Sequence, residues 1–348
     1  MELFGLIEKT ICLTNPTERK TVEDFLHEQG LLLDRGIEYT MALLDGEQII
    51  ATGSLEGKVL KSIAVDKNYK GLGISNKVVS HLVNEAYQHG NSHLFIYTKP
   101  ENLPMFKDLG FYKIVEVENR VVLLENRFNG IKNYVDELKK FKHMGKDSSS
   151  VVMNCNPFTL GHLYLIERAA RESGVLHIFV VWEDKSSFPA EVRYHLIREG
   201  TKHLSNVFVH KGKDYIISSA TFPSYFLKEY QTIVETHALL DLEIYSTYIV
   251  PALGITKRFV GEEPYCPVTG VYNETMKRVL PSRGIEVIEI PRLSKDDQAI
   301  SASLVRKHLR EGKLHKIKNL VPKTTYDFLV SKEAEPITKS IQKENRRH

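Results

Sequence analysis

The chain has 348 residues, 42% of them hydrophobic and 26% charged, with a formal net charge of +3. That length allows two or three domains, and the composition is that of a globular protein. So small a net charge gives no reason to expect nucleic acid as a partner, and no apolar run approaches the ~20 residues that span a bilayer. Cys12, Cys155 and Cys266 are far apart, show no metal spacing, and suit a reducing cytoplasm. Residues 1–13 lack the basic start and apolar core of a signal peptide.

Residues 1–127 read as an α+β domain. Residues 22–33 have amphipathic helical spacing. Two strands, 39–44 and 48–55, flank Asp45-Gly46, a strong hairpin signal. Residues 60–65 form the next strand. The loop D-K-N-Y-K-G-L-G-I follows at 66–74, then a helical pattern to His89, a strand at 92–97, a short helix at 102–109 and a closing strand at 121–125. This block resembles the GNAT acetyltransferase fold. In that family a glycine-rich loop at a helix start holds the pyrophosphate of coenzyme A through backbone N–H groups. Lys70, Gly71, Leu72 and Gly73 match it, whereas Asn68 stands where Arg or Gln is usual. The resemblance leaves two readings open: a site for a coenzyme A-like group, or a retained scaffold that docks a partner.

Residues 128–150 read as a helix, 129–141, and a polar linker. From 151 to 332 strands and helices alternate, which implies a parallel sheet. An apolar run at 151–153 leads into the turn N-C-N-P-F-T-L and a helix opened by Gly161 and His162. A helix start offers free N–H groups and a positive dipole end to phosphate. Gly161 is expected to let a ligand approach the backbone. The dipole disfavours imidazolium at His162 and a polyphosphate favours it, so the sequence leaves its ionisation open. A second such helix start is I-S-A-S-L-V-R at 300–306, with Ser301 as N-cap. Residues 333–348 read as a polar, frayed tail.

T-L-G-H at 159–162, Lys185-x-x-Phe188 with Arg193, and I-S-x-S-x-x-R stand in fixed order in one domain. Together they resemble the nucleotidyltransferase superfamily with an (H/T)-x-G-H motif. The Lys…Phe…Arg spacing looks like that of phosphopantetheine adenylyltransferases. With Y-I-I-S-S-A-T-F-P-S-Y-F at 215–226 and R-F-V-G-E-E-P-Y-C at 258–266, the chain resembles the citrate lyase ligase family. That family joins a GNAT-like domain to a Rossmann-like nucleotidyltransferase domain.

The resemblance implies a ligase that forms a carbon–sulfur bond. It would use ATP and acetate, through acetyl-AMP, to acetylate a thiol on the acyl carrier protein of citrate lyase, releasing AMP and pyrophosphate. The thiol belongs to a phosphoribosyl-dephospho-coenzyme A group. The implied catalytic residues are His162, Lys185 and Arg306. The implied ATP and phosphate contacts are Asn156, Pro157, Phe158, Thr159, Gly161, Arg193, Ser301 and Ser303, with Gly261 and Glu262 as weaker nucleotide candidates. Mg²⁺ is expected on the phosphates, with no protein ligand assigned. The alternatives are adenylyl transfer to a pantetheine-type phosphate, or acetyl-CoA-dependent acetyl transfer.

Overall fold

The computed structural model describes residues 5–34, 36–183, 185–217, 222, 230–264, 266–295 and 298–343, with the backbone alone at 230, 231, 294, 295, 298 and 299. The chain forms two compact units, residues 1–133 with 223–236, and residues 134–222 with 237–348.

The first unit runs β1 (Ile7–Thr10), α1 (Pro16–Glu28), β2 (Tyr39–Asp45), β3 (Gln48–Glu56), β4 (Val59–Val65), α2 (Ile74–Gln88), β5 (Phe95–Thr98), α3 (Leu103–Asp108), β6 (Tyr112–Val117) and β7 (Val121–Glu125). The strands form one sheet in the order β1-β2-β3-β4-β5-β7-β6. Only β4 and β5 pair in parallel, and only at Val59↔Phe95 and Leu60↔Ile96. The α2 face packs Val78, Val79 and Leu82 onto Met41, Ile50 and Leu60. Helix α1 begins six residues before the expected start. Asn15 caps it by accepting from the Thr17 N–H at 2.9 Å, and Pro16 sits in the first turn. It stops at Glu28 rather than residue 33, because Gly30 turns left-handed at φ 72°. Strands β1 and β6, both at sheet edges, are additions to the expected elements.

α4 (Gly130–Lys139) leads into the second unit. There follow β8 (Ser148–Met153), α5 (Leu160–Arg171), β9 (Val175–Val180), α6 (Ala190–Gly200), β10 (Val207–Lys211), α7 (Tyr230–Ile244), which belongs to this unit from His237 onward, α8 (Val250–Leu253), β11 (Ile255–Gly261), α9 (Pro267–Val279) and β12 (Glu286–Ile290). A two-stranded ribbon, β13 (Ser294–Lys295) and β14 (Gln298–Ala299), precedes α10 (Ala302–Arg310), α11 (Leu314–Ile317), α12 (Lys323–Leu329) and α13 (Glu335–Lys343). The sheet is wholly parallel in the order β10-β9-β8-β11-β12.

Two expectations change in this unit. The serine run 148–150 is strand, not linker: Ser149 and Ser150 are fully buried, and the Ser150 hydroxyl meets the Tyr245 hydroxyl at 2.5 Å. The hydroxyl partner offsets the cost of burying a polar group in a parallel sheet. The expected tail contains α13. Its Ile341 is buried beside Phe188, Val305 and Leu309, with Ile337 one turn earlier packed on the same cluster. Residues 223–228, whose composition also suggests a helix, lie outside the described residues.

Candidate nucleotide site

In the second unit, β8 and β11 are neighbours, and the chain leaves them toward opposite ends of the sheet. This is the topological switch point at which open parallel sheets hold ligands, outside the strands' carboxyl ends. The turn 154–158 leaves β8 at this point, and β11 ends beside it at Gly261, with Glu262 the next residue. The Gly261 carbonyl accepts from the Asn273 side chain at 3.2 Å, and the Glu262 N–H donates to the Ile290 carbonyl at 3.0 Å.

Helix α5 starts with a reciprocal cap. The Thr159 hydroxyl accepts from the His162 N–H at 3.4 Å, and His162 Nδ1 accepts from the Thr159 N–H at 3.1 Å. A ring nitrogen that accepts carries no proton, so the neutral imidazole bears its hydrogen on Nε2. Burial, and secondarily the Arg292 guanidinium, lowers the His162 pKa to about 4. Burial therefore favours the neutral imidazole, with its hydrogen on Nε2 as a donor. Its ring lies nearly parallel to Phe158, with centroids 6.2 Å apart and planes 12° apart.

Several expected phosphate contacts do other work. Thr159 is 1% exposed, and its hydroxyl, 2.9 Å from His162 Nδ1, orients the imidazole. Phe158 is fully buried and Pro157 is buried, so their side chains pack within the protein instead of facing a ligand. Gly161 is required by protein rather than ligand: a Cβ there would lie 2.8 Å from the Ile300 carbonyl. This close approach joins the starts of α5 and α10. Ser301 caps α10 by accepting from the Leu304 N–H at 3.2 Å, and its hydroxyl meets that of exposed Ser303 at 3.0 Å.

Arg193 is the main correction. It is completely buried, and its guanidinium serves the loops instead of a phosphate. Nε donates to the Phe188 carbonyl at 2.9 Å and Nη2 to the Glu183 carbonyl at 2.7 Å. Nη1 donates to the carbonyls of Asn154 at 2.9 Å and Val181 at 2.7 Å, and to the Asn154 side chain. One fork thus ties the turn after β8 to the loop that carries exposed Lys185. Asn156 completes the link. Its Oδ1 accepts from the Phe188 N–H at 3.0 Å, and its carbonyl accepts from Arg306 Nη1. The structure therefore gathers His162, Arg306, Ser301 and the 154–158 turn at one edge.

Sequence reasoning missed Arg292 and the α7 clamp. Asp241 Oδ1 accepts from the Ile217 N–H at 2.8 Å, and His237 Nε2 donates to the Ile217 carbonyl at 2.8 Å. The i, i+4 spacing of His237 and Asp241 was the available signal. Most of the motif that follows, 218–221 and 223–226, lies outside the described residues.

Lys70, Gly71, Leu72 and Gly73 belong to the first unit. Beyond Leu60, β4 and β5 part, and a groove of about 600 Å³ opens, lined by Val65, Gly71, Gly73, Ser75, Thr98 and Asn102 among others. Gly71 and Gly73 have φ of 80° and 75°, and Gly73 caps α2. A Cβ at either would meet nothing within 4 Å. Open space, a left-handed backbone and a helix start are the features by which such a loop can accept an anion.

Comparison with known proteins agrees with both units. Residues 148–329 match the citrate lyase ligase C-terminal domain, and residues 8–112 match the acetyltransferase (GNAT) family. The chain is 44% identical to [citrate [pro-3S]-lyase] ligase of Haemophilus influenzae over 90% of this chain and 96% of that protein. It is 41% identical to the Escherichia coli protein of that name over 88% of this chain and 89% of the relative. A shorter match, 39% identical over 69 residues, covers 19% of this chain and 43% of phosphopantetheine adenylyltransferase of Staphylococcus haemolyticus. Identity of this level along nearly the whole length, with both domains in the same order, places the chain in the citrate lyase ligase family.

Proposed function

We propose that this chain activates citrate lyase by acetylating the prosthetic-group thiol of its acyl carrier protein, in two steps. In the first, an acetate oxygen bonds to the α-phosphorus of ATP and the bond to the β-phosphate oxygen breaks, giving acetyl-AMP and pyrophosphate. In the second, the carrier thiol gives up its proton, its sulfur bonds to the acetyl carbon, and AMP leaves. The observation that carries this reading is the meeting of two helix starts at the switch point, with neutral His162 on one and Arg306 on the other.

Phosphoryl transfer needs positioning and charge stabilisation more than covalent help. His162 Nε2–H would donate to phosphate oxygens as charge moves onto pyrophosphate. Lys185 would meet the α-phosphate, and Ser303 with Arg306 the β- and γ-phosphates. Among the described residues no group of three or more His, Cys, Asp or Glu is placed to hold a metal. Mg²⁺ would arrive on the nucleotide, held by phosphates and water, as is usual for this ion on nucleoside triphosphates.

The groove of the first unit would receive the carrier's phosphoribosyl-dephospho-coenzyme A group, its diphosphate at Gly71 and Gly73. The two half-reactions then depend on different units. Gly73→Val is expected to leave ATP–pyrophosphate exchange with acetate within about twofold of wild type, while acetyl transfer to the carrier falls by tenfold or more, about the worth of one or two phosphate hydrogen bonds. A left-handed valine costs ~1–2 kcal/mol, so folding is checked by melting. Unchanged transfer refutes the groove assignment. A wild-type protein with no acetate-dependent exchange refutes the adenylate pathway.

A further inference from the structure

Strands β11 and β12 end side by side, with Gly261 opposite Ile290. Two residues past β12, Arg292 reaches back over this edge. Its Nε donates to the Glu262 carbonyl at 2.8 Å, and Nη2 pairs with the Glu263 carboxylate. The two side chains are only 26% and 13% exposed. The next residue, Leu293, accepts from the Ile300 N–H at 3.1 Å, and the Ile300 carbonyl is the group that faces Gly161. Covalent bonds, the Leu293–Ile300 hydrogen bond and the close approach of Ile300 to Gly161 thus join Arg292 to the first turn of α5.

We propose that Arg292 is a positioning residue for the nucleotide reaction. It pins the loop after β11 and holds a fixed positive charge beside His162. The proposal rests on reading this edge as the nucleotide site. A lysine could supply the charge, but only a planar guanidinium can hold the Glu262 carbonyl and the Glu263 carboxylate at once. Thr159 and Phe158, packed on the imidazole, carry no charge, and the charged group that acts on it is the Arg292 guanidinium, itself paired with the Glu263 carboxylate, which adds to the larger effect of burial. The guanidinium's field disfavours imidazolium and preserves His162 as a neutral donor.

The test uses the full-length protein. The His162 titration is followed by NMR of the ring nitrogens without nucleotide, with His162→Gln to assign the signal. Arg292→Gln is expected to raise the midpoint by about half a pH unit or more, as loss of one partly screened charge does. It should also raise the KM for ATP in acetate-dependent exchange about tenfold, with a smaller effect on kcat. Arg292→Lys should keep the midpoint near wild type while recovering only part of the KM, because the charge remains and the fork is lost. An unmoved midpoint in Arg292→Gln overturns the proposal, whatever the activity. An equal rise in Arg292→Lys would mean loosened packing and would overturn it too. The midpoint is read without ATP, so it decides this point even if wild-type exchange failed and the nucleotide reading with it.

Discussion

Arg193→Met is expected to lower the melting temperature by roughly 6–12 °C and to abolish acetate-dependent pyrophosphate exchange. The side chain is fully buried, and removing it leaves the carbonyls of Asn154, Val181, Glu183 and Phe188 without the donor that satisfies them. A buried acceptor stripped of its donor costs ~1–3 kcal/mol. Partial relaxation of the loops still leaves a loss of at least about 3 kcal/mol, and for a unit of this size each kcal/mol moves the midpoint by roughly 2–4 °C. Activity falls for a second reason. The same guanidinium sets the turn that bonds Arg306 and the loop that bears Lys185. Arg193→Lys should rescue little, since one ammonium cannot span four carbonyls arranged around a fork. Differential scanning calorimetry of the three proteins is sufficient. A midpoint within 2 °C of wild type for Arg193→Met would show that the guanidinium does not clamp these loops.

His162→Ala should lower kcat for acetate-dependent exchange by ~10²–10³, the usual loss for one preorganised donor. The cost to folding is small, because the Thr159 hydroxyl still caps α5 through the residue 162 N–H. The pH dependence separates this donor from an ordinary surface histidine. The folded imidazole protonates at about 4, below the usual histidine value, so it is neutral from pH 8 down to about 5. The acid limb of kcat/KM, which reports the free enzyme, should show no inflection from His162 near pH 6.5. Stability has the matching sign. Between roughly pH 6.5 and 4 an unfolded His162 binds a proton that the folded one does not, so acidification through that window destabilises the protein and raising the pH restores it. An inflection near 6.5 that disappears in His162→Ala would show an ordinary imidazole instead.

Local chemistry was legible in the sequence, and long-range packing was not. The turn after β8, the α5 start and the Ser301 cap follow from spacing within a few residues, and the structure holds them there. Ser148–Met153 begins three residues earlier than its apolar run, because Ser150 finds a partner in distant Tyr245. Gly161 looked like space for a ligand, since the sequence does not show that Ile300 packs against it. Arg193 has phosphate-ligand spacing, yet spacing does not say whether a long side chain turns outward or in. Arg292 had no motif at all, and its position follows from β12 lying beside β11. The polar composition around Ile337 and Ile341 hid α13, whose two isoleucines one turn apart suffice to seat it.

The central claim is that acetate attacks the α-phosphate, and its most direct test is the fate of the acetate oxygen. In a single-turnover reaction of ATP, carrier protein and carboxyl-labelled [¹⁸O]acetate, mass spectrometry of the products reads which bond formed. Attack at the α-phosphorus, followed by thiol attack at the acetyl carbon, leaves one labelled oxygen on AMP and none on pyrophosphate. Unlabelled AMP, or label in orthophosphate beside ADP, would contradict the adenylate pathway and with it the proposed roles of His162 and Arg306.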